Sequence, residues 1–343
     1  MTTALTLHED TALAMAGDVA NQIAAAYVLI DYRSRKASNT LRAQDADLDN
    51  FAVYLSEAGV QAGQLATDVH AWQGITWGLV AGFVQWQLQR GYTTASINRA
   101  LSTVKQYAKL ATQAGILTPA DLALIKTVSG YGHKEAQRVN ERRETTRKGE
   151  KKAIAVSISK EQAQALMMDQ PSTPQGRRDA LLMCLLLDHG LRVGELALLQ
   201  VEDVDMKAGT LTFYRPKVDK IQTHKLTLNT YSALVAYFQL NEPSYILHDV
   251  PKHGPLLLGS RKSGQLDGQM SVRAINERVG VLGRAVGLEN LSPHDCRHYW
   301  ATVATRAGTH VKALQDAGGW NSPAMPLRYA ESAKSANEGV RLD

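Results

Sequence analysis

The sequence predicts a mainly α-helical protein of two domains with one small antiparallel β-sheet. Its 343 residues exceed the usual size of a single domain, and 44% of them are hydrophobic, enough for a core in each domain. Helix-type spacing of apolar residues fills about the first 130 residues, whereas strand-like segments occur only between residues 201 and 228.

The N-terminal part is divided into helices by residues that favour helix ends. Helices are predicted at residues 38–59, 75–90 and 94–115, with a short one from residue 119 onward. Ser38 is a suitable N-cap, Gly91 and Gly115 are suitable C-terminal stops, and Thr118-Pro119 is an N-cap followed by a first-turn proline. No segment here alternates like a strand, so residues 1–132 are predicted to form an α-helical domain.

Residues 133–152 change in character and are predicted to be a basic linker. They contain eight Lys or Arg against four Glu, a net charge of +4, with few apolar residues. Such a segment can be a solvated connection, a strap across DNA phosphates, or both. The candidate phosphate contacts are Arg142, Arg143, Arg147 and Lys148.

Residues 153–343 are predicted to form a second domain of mixed type. Its predicted helices lie at residues 160–168, 174–189, 193–199, 230–240, 271–286, 294–307 and 309–317. Its predicted strands lie at residues 201–205, 210–215 and 223–228. The apolar run at residues 180–187 is too short to span a bilayer and is predicted to be a buried helix.

Charge and cysteine content narrow the class of protein. The net charge of +5 and pI of about 9.1 are compatible with a polyanionic partner but do not identify one. Cys184 and Cys296 form no CxxC pair, which disfavours a zinc site or a disulfide scaffold and fits a reducing cytoplasm. The charged residues among the first 18 argue against a signal peptide, and no membrane partner is expected.

Four clusters of chemically active residues fall in the second domain. In chain order they contain Arg192, Glu195, Lys217, His294, Arg297, Trp320 and Tyr329. Each has an ordinary structural interpretation when taken singly: a surface Arg–Glu pair, a first-turn histidine, a core tryptophan, a half-buried tyrosine.

Together and in this order, the clusters resemble the signature of the tyrosine recombinase (phage integrase) family. That signature has an Arg in a Gly-Leu-Arg-x-x-Glu turn, a Lys in a β-hairpin, a His-x-x-Arg pair, a His or Trp, and a Tyr near the chain end. The resemblance covers residues 153 to the C-terminus. Trp320 and the tail Gly-Val-Arg-Leu are most similar to the Cre-recombinase-like members.

The resemblance implies a site-specific DNA recombinase whose two domains clamp duplex DNA. It further implies a homotetramer on two inverted-repeat DNA sites, with no cofactor. A type IB topoisomerase and a catalytically silent DNA-binding regulator remain as alternatives.

Physical chemistry supports the implied roles. Transesterification builds negative charge on phosphate oxygens, which two permanently charged arginines, Arg192 and Arg297, can stabilise by paired hydrogen bonds. Tyr329 is the expected nucleophile, forming a 3′-phosphotyrosine that conserves bond energy without ATP. A phenol with an ordinary pKa of about 10 needs a proton acceptor, for which His294 is the candidate.

Three supporting roles complete the expected site. Lys217 is expected to protonate the leaving 5′ oxygen, although Lys220 in the same hairpin turn could take this role instead. Trp320 can donate its indole N–H to a phosphate oxygen, and Glu195 can orient the arginines.

No metal site is expected. His294 and His298 could share a helix face, but no acidic partner motif accompanies them and Arg297 would oppose a dication.

One helix of the first domain is a candidate DNA-reading element. Residues 94–115 place a polar face on the helix, formed by Asn98, Arg99, Ser102 and Lys105. A core helix with a solvated polar face explains the same pattern, and both interpretations stay open.

Overall fold

The chain forms two compact units, each with a hydrophobic core of its own. The structure is a computed structural model that describes residues 3–141, 155–239, 253–261 and 263–333. Its contacts divide the chain into Met1–Lys151 and Lys152–Asp343. The domain limits predicted above, residues 132 and 153, remain predictions, because residues 142–154 lie outside the described part.

The described residues of the first unit form helices and connecting loops, with no β-strand among them. Its α-helices are α1 (Thr3–Ser34), α2 (Ser38–Glu57), α3 (Trp77–Gln89), α4 (Thr94–Gln113), α5 (Pro119–Thr127) and α6 (His133–Glu141), with a 3-10 turn at Val69–Trp72. Phe51, Trp72, Phe83 and Tyr107 are fully buried between them. The predicted start of α5 is confirmed, because the Thr118 side chain accepts a hydrogen bond from the Asp121 N–H.

Helix α1 was not predicted from the sequence. Its segment Thr11–Ser34 is long and apolar enough to cross a membrane, judged by length and composition alone. Only 6% of the most apolar 18-residue stretch of this segment is buried. Its last turns nevertheless belong to the unit: Leu29 lies in the core, and Arg33 pairs with Asp45 at 2.6 Å. Charged residues interrupt the segment, so its high mean hydropathy is not obvious from the sequence.

The predicted linker is partly helical. Helix α6 occupies its first nine residues, where no helix was expected. The candidate phosphate contacts Arg142, Arg143, Arg147 and Lys148 lie outside the described residues, so their role stays a prediction.

The second unit surrounds one buried helix. Its helices are α7 (Lys160–Met168), α8 (Pro174–Leu187), α9 (Val193–Leu196), α10 (Leu228–Tyr237), α11 (Val272–Ala285), α12 (Pro293–Arg306), α13 (Val311–Gly318) and α14 (Ala324–Ala333), with a 3-10 turn at Val201–Asp203. The apolar run predicted to be buried lies in α8, where every residue from Leu181 to Leu187 is buried. Helices α7, α10 and α12 pack around it.

A three-stranded antiparallel sheet carries the predicted hairpin. Its strands are β1 (Val204–Asp205), β2 (Thr210–Arg215) and β3 (Lys220–Lys225), in the order β1-β2-β3. Arg215 pairs with Lys220, so the turn comprises residues 216–219. The strand predicted at residues 223–228 was wrong at both ends, because this short turn starts β3 at residue 220 and Thr227 already caps α10.

A second hairpin was missed. It consists of β4 (Leu258–Ser260) and β5 (Leu266–Gln269), which pair antiparallel with an irregularity in register. Glycines interrupt both strands, so the alternation that identifies a strand in sequence is weak here.

Helix α14 contains a proline in its first turn. The helix begins at Ala324, so Pro326 is its third residue. The first N–H groups of a helix have no intrahelical partner, so this proline removes no helical hydrogen bond.

The buried His189 lies beside the half-buried His224 of β3. His189 stacks on His224 with 5.7 Å between ring centroids, and His189 Nε2 lies 3.0 Å from Thr230 Oγ1. Burial lowers the pKa of His189 to about 4, against the opposing effect of Asp188. Burial also lowers the pKa of His224 to about 3, and the neighbouring His189 and Arg215 act in the same direction.

These shifts predict acid destabilisation of the second unit. Below pH 6.5 the two histidines take up protons in the unfolded chain but stay neutral in the folded one, because their pKa values are lower there. The free energy of unfolding therefore falls as pH falls from 6.5 towards 4. The loss should reach about 2 kcal/mol per ring at pH 5. Denaturant unfolding at pH 7 and pH 5 should therefore show a smaller loss for His189→Gln than for the unchanged protein. The exposed His253 provides the control His253→Gln, and equal losses in all three proteins would contradict the prediction.

Candidate active site

Arg192 and Glu195 form the base of the site. Arg192 is the N-cap of α9, and its backbone N–H donates to Glu195 Oε2 at 2.8 Å. Its Nη1 donates to Glu195 Oε1 at 2.8 Å. The Glu195 side chain is 3% exposed and that of Arg192 is 22% exposed. The buried carboxylate therefore binds Arg192 on its inner side, while part of the arginine side chain remains accessible to solvent.

Arg297 approaches the same place from α12. Its guanidinium donates to the carbonyl oxygens of Gly190 and Gly318. Arg192 Nη2 donates to the next carbonyl, that of Gly319, at 2.9 Å. The two arginines, distant in sequence, are therefore bound to adjacent peptide groups of one turn.

That turn follows the C-terminal end of α13 and requires its glycines. Gly319 is the C-cap with φ +58°, a conformation that disfavours other residues. A Cβ at Gly319 would lie 2.6 Å from Arg215 Cδ, and a Cβ at Gly318 would lie 2.0 Å from the Trp320 ring. The glycine pair thus lets the arginines and the tryptophan pack directly onto the backbone.

Trp320 and Tyr329 complete the cluster. The Arg297 guanidinium carbon lies 4.4 Å from the centroid of the Trp320 ring, a cation–π contact. Tyr329 on α14 contacts that ring at 5.9 Å between centroids and the His298 ring, edge to face, at 4.9 Å. Tyr329 is 4% exposed, so its phenol is enclosed in this structure.

Burial controls the ionisation of the cluster. It raises the pKa of Tyr329 above 10, although Arg297 and Arg328 oppose this, so the phenol is protonated at neutral pH. Burial lowers the pKa of Arg297 to about 9, and the nearby charge of Arg192 contributes to the lowering. At neutral pH Arg297 stays charged, which a group that stabilises anionic oxygens requires.

Two of the expected residues lie apart from these contacts. Lys217 is exposed in the β2–β3 turn, and Lys220 is exposed as the first residue of β3. His294 is exposed in the first turn of α12, one helical turn before Arg297. Neither Lys217 nor His294 makes a side-chain hydrogen bond or ion pair with another described residue.

Sequence reasoning missed Arg215, although a signal for it exists. The alternation of β2 places Arg215 on the same face as Leu211 and Phe213, and all three are buried. A cation on an apolar face must find partners. Arg215 is 0% exposed and pairs with Glu195, which joins the arginine cluster to the hairpin.

Three of the four side chains of α4 predicted to contact DNA make contacts within the first unit. Asn98 exchanges two hydrogen bonds with the Tyr131 backbone, both 2.8 Å. Arg99 pairs with the buried Asp47 at 2.7 Å, although its own side chain is 57% exposed. Lys105 donates to the Lys126 and Val128 carbonyls near the end of α5. The contacts of Asn98 and Lys105 fit the interpretation of α4 as a structural helix, whereas Ser102 and much of the Arg99 side chain are exposed.

Two grooves flank the exposed side of α4. One, of about 540 Å³, is lined in part by Ser102, Lys109 and Lys126, and the other, of about 570 Å³, in part by Gln44, Arg99 and Ser102. Gln106 lines both. Ser102, Gln106 and Lys109 follow one another at helical spacing, and the last two were not among the residues predicted to contact DNA.

Among the described residues, no group of three or more His, Cys, Asp or Glu is placed to hold a metal ion. The positive charge of the site comes from its arginines.

Comparison with known proteins identifies the family. The model of the phage integrase family matches residues 157–336, more than half of the chain. This chain belongs to the phage integrase family. The family's N-terminal SAM-like domain matches residues 29–115, within the first unit.

Named relatives are similar over most of their length. The chain is 23% identical over 301 residues to the tyrosine recombinase XerC of Syntrophus aciditrophicus, covering 88% of this chain and 89% of that one. It is 25% identical over 318 residues to the XerC of Methylobacterium nodulans, covering 92% and 89%. The chain is therefore a tyrosine recombinase, an enzyme of site-specific DNA recombination.

Solved structures share its fold. A λ integrase dimer bound to a core site has a TM-score of 0.59 at 16% identity, covering 92% of the recombinase and 97% of that chain. The Tn1549 transposon integrase with transposon right-end DNA also has a TM-score of 0.59 at 16% identity, covering 89% and 94%. The mainly helical two-domain fold predicted from the sequence is thereby confirmed, while the closer similarity to Cre stays a prediction.

Proposed function

We propose that this recombinase cuts and rejoins DNA at a specific site through a 3′-phosphotyrosine on Tyr329, without metal or ATP. The observation that carries the proposal is the convergence of Arg192, Arg297, Trp320 and Tyr329 around one turn, with Glu195 beneath it.

The arginines bind the scissile phosphate. Arg192 and Arg297 donate to its nonbridging oxygens, and the Trp320 indole N–H donates to one of them. Loss of a donor of this kind costs about 2.7–4 kcal/mol of transition-state stabilisation. Glu195 does not touch the phosphate but keeps Arg192 oriented towards it.

Proton transfer follows from the pKa of the nucleophile. The Tyr329 phenol is protonated, so His294 accepts its proton as the phenolic oxygen attacks phosphorus. The bond from phosphorus to the 5′ oxygen breaks, and Lys217 protonates that oxygen. A 5′-hydroxyl from another strand then attacks the phosphotyrosine and releases Tyr329. Each broken ester is replaced by another, so no ATP is consumed.

The first unit supplies DNA contacts in this proposal. Ser102 on the exposed side of α4, with Gln106 and Lys109, faces the groove of the duplex, and Arg99 reaches phosphate from its pair with Asp47. Asn98 and Lys105 support the helix. The basic residues Arg142, Arg143, Arg147 and Lys148, which lie outside the described residues, are proposed to contact DNA phosphates.

Assembly follows from the geometry of strand exchange, which needs four cleavable strands. One related structure is a λ integrase tetramer bound to a Holliday junction. A homotetramer on two inverted-repeat sites, acting in the cytoplasm, is proposed for this recombinase.

One selection experiment tests the proposal without a known target. The protein is incubated in excess EDTA with duplexes that are randomised centrally and nicked at varied positions, so that the cut fragment diffuses away and traps the enzyme. Adducts that survive detergent are recovered and sequenced. We expect adducts that share an inverted-repeat sequence.

Each contrary outcome has a distinct meaning. Adducts without sequence preference would indicate a type IB topoisomerase. Selective binding without any adduct would indicate a silent regulator. Cleavage that requires Mg²⁺ would indicate a metal nuclease.

A further inference from the structure

Arg215 is a fully buried arginine at the end of strand β2, two residues before Lys217. Its Nη1 lies 3.2 Å from both carboxylate oxygens of Glu195 and donates to the Gly318 carbonyl at 3.0 Å. Its Nη2 donates to the Ala317 carbonyl at 2.7 Å. Because the side chain is 0% exposed, it cannot contact DNA in this structure.

The end of α13 explains why a cation is stable there. The last carbonyl groups of a helix have no intrahelical partners and carry partial negative charge, which favours cations. Here Gln222 and Arg215 donate to the carbonyls of Asp316, Ala317 and Gly318. The β2–β3 hairpin is thus fastened to the turn that holds the catalytic arginines.

Two of the three acceptors of Arg215 also have another donor. Glu195 is held by Arg192, and the Gly318 carbonyl accepts from Arg297. Loss of Arg215 would therefore leave both of these groups partnered. What only Arg215 supplies is the attachment at the last residue of β2, immediately before the turn with Lys217.

We propose that Arg215 is a positioning residue that holds the tip of the β2–β3 hairpin, and with it Lys217, against the arginine cluster. It moves no proton and touches no substrate. The proposal rests on the proposed function, since it concerns delivery of the proton to the leaving 5′ oxygen.

Substitution can separate positioning from stability. Arg215→Lys keeps the charge but loses the planar guanidinium that reaches three acceptors, and Arg215→Met removes the charge as well. The matched control is Arg178→Lys, which alters another buried arginine of the same unit. Arg178 pairs with Asp179 at 2.8 Å and is not part of the arginine cluster.

The measured quantity is a ratio of two rates of adduct formation. One substrate is the duplex obtained by the selection above, and the other is the same duplex with sulfur as the 5′-bridging atom at the cut. The sulfur leaves without needing a proton, so the ratio of sulfur to oxygen rates reports delivery of the proton. Both rates come from one preparation, so partial unfolding cancels from the ratio.

We expect the ratio to rise about 10- to 100-fold in both Arg215 variants, the effect typical of a misplaced catalytic group. It should stay at the unchanged value in Arg178→Lys. The double variant Arg215→Lys/Lys217→Ala should cut the oxygen duplex no more slowly than Lys217→Ala, because both changes remove one function.

An unchanged ratio in the Arg215 variants, or multiplied losses in the double variant, would overturn the proposal. Failure of the proposed function would be visible separately, as absence of adduct from the unchanged protein on either duplex.

Discussion

Tyr329→Phe is expected to bind the selected duplex as tightly as the unchanged recombinase and to form no covalent adduct with it. The substitution removes only the phenolic oxygen. The ring contacts with His298 and Trp320 do not depend on that oxygen, so the cluster should remain intact. Gel shift measures binding, and detergent-resistant adduct measures chemistry.

Tyr299→Phe is the matched control for that experiment. Tyr299 lies on α12 and is also a partly buried tyrosine, but it has no part in the proposed chemistry. It should form adduct at the normal rate. A protease-sensitive adduct in Tyr329→Phe would assign the nucleophile to another residue.

Lys217→Ala is expected to cut ordinary DNA more slowly by about 10²–10⁴, the range for loss of a general acid. On the duplex with 5′-bridging sulfur its rate should return close to that of the unchanged protein. Arg192→Ala should not recover on sulfur, because the charge on the nonbridging oxygens must be stabilised whichever atom leaves.

Lys220→Ala decides between the two lysines of the hairpin. Its side chain is exposed at the start of β3, where Lys220 is paired with Arg215 across the four-residue turn. Recovery on sulfur by Lys220→Ala and not by Lys217→Ala would place the acid at residue 220. If neither variant recovered on the sulfur duplex, neither lysine would be the general acid, and the hairpin would only contact DNA.

Local signals in the sequence were sufficient for much of the helical framework. Capping residues such as Thr118, Ser159 and Ser271 act within one turn, so helix starts can be read directly from the chain. The catalytic residues were predicted because their types and order match a family signature. The second hairpin escaped because its short, glycine-containing strands show little alternation.

Tertiary structure decided which polar side chains are available for function. Asn98 and Lys105 belong to the polar face predicted to contact DNA, and both make hydrogen bonds to backbone groups elsewhere in the first unit. Arg215 and the enclosure of Tyr329 depend on residues about a hundred positions away or on another helix. Periodicity describes which face a side chain takes, whereas its partners are set by how those faces pack. The arginine cluster therefore exists only once the end of α13 meets the β2–β3 hairpin, α9 and α12.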